Sequence, residues 1–400
     1  MMEVSAARET VMRFAKPLPP QITPLSSPAL GQVLAADVVC DLDSPPFAKA
    51  LMDGYAVRAA DLAGGPVSLF VVDEVAAGAM PTVGIEDGEA VAVYTGAPLP
   101  DGADAVVMKE RCEVHENSTI TATDTALTAG KNVFARGAEM RAGETVIPAG
   151  TVLTPTAYGL FAAVGKTAVQ AHPRPRMVVV ATGNELVEPA MKPHGGQIRN
   201  TNGPMLMAQA ASAGALPRYL GIATDDADVL ASYVREGLEI SDVLVFAGGV
   251  SAGKFDLVPD VLKANGVDIH FHHVRMKPGK PLLFGTKGDK LVFGLPGNPV
   301  SAFVGFELFI RPALRALAGH KTAGPRERKY ELAEPLTANH DRPTYHPARI
   351  HFPTQTVRSL PWSGSADLRA ILTANGLIEL PAGAVNLEAG ERVNVVFTHG

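Results

Sequence analysis

The run Asp242-Val243-Leu244-Val245-Phe246-Ala247-Gly248-Gly249-Val250-Ser251-Ala252-Gly253-Lys254-Phe255-Asp256 decides the fold. Its first third is a continuous apolar strand, the pattern of a strand covered on both faces. The glycines that follow suit a sharp exit, and Leu257–Ala264 then reads as a helix. The same grammar repeats on either side. Met177–Thr182 is another continuous apolar strand, followed by a helix at Gly203–Ala213, a strand at Leu216–Ile222 and a helix at Asp226–Glu239. Asp268–Met276 reads as a strand and Pro299–Leu317 as a long closing helix. Alternation of this kind predicts a parallel sheet with helices on both faces over residues 173–322.

The flanks differ in texture. His172-Pro173-Arg174-Pro175-Arg176 is a stiff linker, because each proline fixes φ and disfavours helix before it. Residues 1–43 open with an amphipathic helix that breaks at Pro17, Pro19 and Pro20. Residues 139–172 share that texture, with Glu144–Leu153 resembling a hairpin. Between them, residues 44–138 carry short apolar runs (Ser68–Glu74, Glu89–Thr95, Ala105–Glu110), the signature of a β-rich module inserted into a discontinuous first domain. Residues 323–400 lose their helices apart from Ser365–Ala374 and read as a small β domain. The expected architecture is therefore α/β and multidomain. Glycine and proline number 39 and 32 of 400 residues, an aperiodic excess that calls for many turns and rigid loops. A net charge of −6 without a Lys/Arg block argues against nucleic acid, and no apolar run is long enough for a membrane span. Cys40 and Cys112 make no disulfide framework, so a reducing, cytoplasmic setting is expected.

In open α/β sheets ligands bind beyond the carboxyl ends of the strands. Four polar, glycine-rich loops fall there: Thr182–Leu186, Gly248–Asp256, Lys277–Pro281 and Gly294–Ser301. Glycines let backbone N–H groups approach a phosphate, and a helix N-terminus adds a favourable dipole. Lys277 and Lys280 flank a Pro-Gly pair on a stiff loop suited to an oxyanion, while Ser301 falls in the first turn of a helix. Glu185, Asp225, Asp226 and Asp256 offer hard oxygen ligands for Mg²⁺, which takes one or two carboxylates plus substrate phosphates. Each feature alone has a plainer meaning: a glycine pair is a turn, Asp225 or Asp226 caps a helix, and lysines are surface charges. Together they point to a phosphate-bearing small molecule and a divalent cation. Neither a dinucleotide fingerprint nor a Walker loop is present. His270, His272 and His273 read as half-buried strand histidines, and Trp362 as packing or rim.

The motifs resemble the MoeA family of molybdopterin molybdenumtransferases, related to the E domain of gephyrin. They run from Pro45-Pro46-Phe47, Met52-Asp53-Gly54-Tyr55-Ala56 and Thr95-Gly96-Ala97-Pro98-Leu99-Pro100 to Thr182-Gly183-Asn184-Glu185-Leu186. Gly102-Ala103-Asp104-Ala105-Val106-Val107, Gly248-Gly249-Val250-Ser251, Met276-Lys277-Pro278-Gly279-Lys280-Pro281, Gly294-Leu295-Pro296-Gly297-Asn298-Pro299-Val300-Ser301, Arg342-Pro343, Ser363-Gly364-Ser365 and Ala374-Asn375-Gly376-Leu377-Ile378 complete the set. The resemblance implies that 173–322 is a molybdopterin-binding domain. It implies insertion of molybdate into adenylylated molybdopterin with release of AMP and molybdenum cofactor, dependent on Mg²⁺. It also implies a homodimer in which Asp53 and Thr95 reach the cleft of the partner subunit, with transient contacts to molybdopterin adenylyltransferase and cofactor-accepting enzymes. Matched positions would hold molybdate or pterin phosphate with Lys277, Lys280, Gly248, Gly249, Ser251, Pro296, Asn298, Pro299, Ser301, Arg342 and Ser365. Glu185, Asp226 and Asp256 would hold the metal. Rival readings are the adenylylating enzyme itself and a non-catalytic carrier or scaffold. The chain departs from the family pattern at Lys254, where relatives carry an acid, and at Asn184, Asn200, Glu139 and Pro347. Lys254 is expected to add a phosphate contact.

Overall fold

The computed structural model describes residues 1–26, 29–250 and 256–398. Contacts divide the chain into two units. One holds residues 1–35, 150–154 and those from Ala168 onward; the other holds Ala36–Ala149 and Pro155–Thr167.

In the first unit, helix α1 (Val4–Phe14) buries Val4, Ala7 and Val11, one stripe at helical spacing. The central sheet comprises β1 (Arg176–Thr182), β2 (Leu216–Ala223), β3 (Val243–Ala247), β4 (Asp268–His273), β5 (Pro281–Lys287) and β6 (Lys290–Leu295) in the order β2-β1-β3-β6-β5-β4. Strand β1 pairs parallel with β2 and β3, and β3 with β6. The last two strands are antiparallel additions: β5 pairs with β6 and β4 with β5. Two reversals restore direction, so β4 points the same way as β6. All four glycine-rich loops consequently leave one edge.

Alternation along the strands feeds two cores. Met177, Val179, Val243 and Val245 face α1, α2 (Asn202–Ser212) and the closing helix; Val178, Val180, Leu244 and Phe246 face α3 (Ala227–Ile240) and α4 (Val258–Ala264). The closing helix runs as α5 (Pro299–Gly305), a π turn (Phe306–Ile310) and α6 (Arg311–Leu317). A five-stranded barrel follows, β7 (Glu327–Leu332), β8 (Thr344–His351), β9 (Thr356–Ser359), β10 (Gly376–Leu380) and β11 (Arg392–Phe397), closed in the order β7-β9-β8-β10-β11. Tyr330, Ile350, Val357, Ile378 and Val395 fill it, whereas Tyr345, Ile371, Leu377 and Val396 join the α1-side core of the sheet.

The second unit is built on a six-stranded sheet with apolar clusters on both faces. Val57, Ala90 and Val107 lie in one cluster, and their neighbours Ala56, Val91 and Val106 in the other. The 144–153 stretch does not form the expected hairpin. Thr145–Ile147 pairs instead with Val38–Val39, and Val152, in the first unit, bridges Val33. No described helix is long and apolar enough to cross a membrane.

Candidate active site

The loops after β1, β3, β4 and β6 surround a cavity of about 1180 Å³, which the segment Trp362–Leu368 and Arg342 of the barrel domain also line. Two glycines shape its floor. Gly183 has φ +144°, and a Cβ there would lie 2.5 Å from Glu185 Oε2. Gly248 has φ +106°, and a Cβ would lie 2.5 Å from the Thr182 carbonyl oxygen. A side chain is strained at either φ, and at Gly248 a Cβ would also press on the backbone of the β1 loop.

The cationic wall is stitched to the barrel domain. Lys277 N donates to Pro343 O and Tyr345 N to Lys277 O, both at 2.8 Å. Lys277 is half-buried, with Nζ 3.0 Å from His340 Nδ1, while Lys280 is exposed. Arg342 Nε donates to Asp341 Oδ2 at 3.0 Å. At the start of α5, Asn298 Nδ2 donates to Ser365 Oγ and Val300 N to Ser365 O, both at 3.0 Å. Ser301 is buried there, and Pro296, Asn298 and Pro299 line the same cavity.

Of the acids, Glu185 and Asp256 line the cavity, as does Asp225. Asp225 is locked to the β1 loop: its N–H donates to Asn184 Oδ1 at 3.1 Å, and Asn184 N donates to its Oδ2 at 3.3 Å. Asp226, assigned to the metal on resemblance, sits elsewhere. It caps α3, accepting from Asp228 N and Val229 N at 3.0 Å each. Asp226→Ala is therefore expected to cost about 1 kcal/mol in urea unfolding. Undiminished stability in that variant would contradict the capping role.

Ser251 and Lys254 lie outside the described residues. Asp53 and Thr95 belong to the second unit, where Asp53 Oδ1 accepts from Thr95 N at 2.9 Å and Thr95 Oγ1 at 2.8 Å. Those bonds, with Lys109 nearby, hold the Asp53 carboxyl below the usual range. Asn200 accepts from Gly203 N at the start of α2 and donates from Nδ2 to Tyr219 Oη, so the amide serves both partners. Glu139 accepts from Ser44 Oγ, and Pro347 lies in β8 with its carbonyl accepting from Leu360 N. The strand histidines are engaged structurally: His270 stacks on Phe14 and bonds Thr286, and His272 bonds the Val250 carbonyl. Trp362 is part of the cavity wall, its Nε1 donating to Gly364 O.

Two lining atoms are left without partners, one in the Thr182–Leu186 loop and one, on Asn202, that no motif marks. Thr182 Oγ1 and Asn202 Oδ1 are buried without a hydrogen-bond partner in the described structure. Buried polar atoms demand partners, and on a cavity wall a water or ligand group supplies them. Among the described residues, no three His, Cys, Asp or Glu side chains converge to hold a metal.

Three family models match in chain order: MoeA N-terminal region (domain I and II) at 2–165, probable molybdopterin binding domain at 178–316, and MoeA C-terminal region (domain IV) at 329–397. The chain belongs to the MoeA family. It is 34% identical to molybdopterin molybdenumtransferase 2 of Mycobacterium tuberculosis over 404 residues, covering 99% of each chain. It is 33% identical to the molybdopterin molybdenumtransferase of Staphylococcus aureus, covering 95% of this chain and 91% of that one. A solved molybdopterin biosynthesis MoeA protein of Pyrococcus horikoshii superposes over 100% of both chains with a TM-score of 0.87 at 30% identity. As a MoeA-family member, the chain is an enzyme of molybdenum cofactor biosynthesis.

Proposed function

We propose that the chain combines molybdate with adenylylated molybdopterin and releases AMP and molybdenum cofactor. One observation carries the reading: a single cavity gathers Lys277, Lys280 and Arg342 together with Glu185, Asp225 and Asp256. Cations and hydroxyl donors suit a tetrahedral dianion, which carboxylates would repel. The volume exceeds that of an ordinary small-ligand pocket and suits a nucleotide-linked substrate.

The acids alone form no three-ligand cage, yet they fit Mg²⁺, which binds through one or two carboxylates plus phosphate and water. Glu185 and Asp256, with Asp225, would hold it, and its charge would offset that of the pyrophosphate. Lys277 and Lys280 hold molybdate, with Ser301, Ser365 and Arg342 as further donors, and the N–H groups of Gly248 and Gly249 meet phosphate oxygens. A molybdate oxygen attacks the α-phosphorus and the bond from that phosphorus to the pterin phosphate oxygen breaks; the two dithiolene sulfurs then bond to molybdenum, giving up their protons, as the bond from molybdenum to the attacking oxygen breaks, and AMP departs with that oxygen. Positioning and charge neutralisation supply the acceleration, so no side-chain nucleophile is needed. We further propose a cytoplasmic homodimer whose Asp53 and Thr95 complete the partner's cleft, with transient docking of the adenylylating and cofactor-accepting enzymes.

The test is a molybdate titration of AMP release from adenylylated molybdopterin. The reading predicts saturable dependence on molybdate. ATP turnover with free molybdopterin would mark the adenylylating step instead.

A further inference from the structure

We infer that His340 is a positioning residue, whose neutral imidazole holds the Lys277 ammonium where an oxyanion meets it. This rests on the reading of Lys277 as an oxyanion ligand. His340 ends the strand Leu336–His340, which pairs with Gly383–Leu387 outside the α/β sheet, and it does not line the cavity. It meets the site through the 3.0 Å contact from Lys277 Nζ to its Nδ1. Lysine carries three donors and no acceptor, so this hydrogen bond requires Nδ1 to be unprotonated.

The surroundings keep it so. Burial, and then the Lys277 charge, hold the His340 imidazole below its usual range, against a smaller opposing pull from Asp341. Asp341 is itself paired with Arg342, and His346 lies close enough for its own titration to feel His340. At neutral pH the imidazole therefore accepts. The backbone bonds from Lys277 to Pro343 and Tyr345 fix the stem of the side chain, and His340 fixes its tip. A lysine side chain free to roam loses substantial rotamer entropy on gripping an anion. Anchoring one of its three donors removes part of that loss and leaves two donors for the ligand. The barrel domain thereby takes a part in oxyanion binding that its lining residues alone do not reveal.

Molybdate titrations of AMP release, with calorimetric binding of molybdate to the whole chain, test the inference on wild type, His340→Leu and His340→Asn. His340→Leu is expected to raise half-saturating molybdate about tenfold, with kcat changed less than about twofold. His340→Asn, whose Oδ1 replaces Nδ1 as acceptor, should stay within about threefold of wild type. Equal shifts in both variants, no shift in either, or a fall in kcat at unchanged half-saturation would overturn the assignment. A wild-type chain that ignores molybdate would overturn the functional reading and this inference together; a responsive wild type matched by His340→Leu overturns this inference alone.

Discussion

Lys280→Ala is expected to raise the molybdate concentration for half-maximal AMP release by about 10- to 100-fold. A hydrogen bond to a charged group contributes roughly 1.5–3 kcal/mol, and each 1.4 kcal/mol is tenfold in affinity. The Lys280 side chain is exposed, and its carbonyl keeps accepting from Val274 N at 3.0 Å after truncation. The loop should therefore keep its shape, and the loss should report the missing ammonium. A titration over several decades of molybdate checks it; a wild-type response would remove Lys280 from the oxyanion site.

The largest stability effect is expected beneath the site. Glu307, in the π turn of the closing helix, is fully buried and accepts from Arg311 Nε at 2.6 Å, Arg311 Nη2 at 3.0 Å and Gln209 Nε2 at 2.7 Å. Glu307→Leu leaves a largely buried guanidinium without its counter-charge, a change that typically costs about 3–5 kcal/mol. Removing both charges, as Glu307→Leu with Arg311→Met, should recover most of that loss, because the desolvation cost of the pair disappears with it. Urea unfolding of the two variants gives the comparison. Equal destabilisation in both would show that shape, not charge, dominates there.

The residues differ in how openly they announced themselves. Strands β1 and β3 were legible because unbroken apolar runs of their length fit a strand covered on both faces. The loops at their ends were legible because glycine and lysine have few other reasons to cluster so tightly. Strands β5 and β6 were not, since Gly285 and Gly294 interrupt their apolar runs. Among the barrel strands, Glu327–Leu332 hid for a related reason: it exposes four of its six residues, so little apolar signal remains. Asp225 and Asp226 cannot be told apart by spacing; only the cap geometry of α3 separates the one on the cavity wall from the one on the helix. His340 was invisible for want of any local pattern, because its partner Lys277 lies 63 residues earlier. Thr182 lies in a quoted loop, but the orphaned Asn202 atom depends on burial, which no motif encodes.

The most direct measurement incubates the purified chain with adenylylated molybdopterin, magnesium and molybdate, and counts AMP released and molybdenum incorporated in the same sample. The account predicts equal amounts of the two, both falling to background when molybdate is omitted. AMP released at the same rate without molybdate, or molybdenum incorporated without AMP, would contradict it.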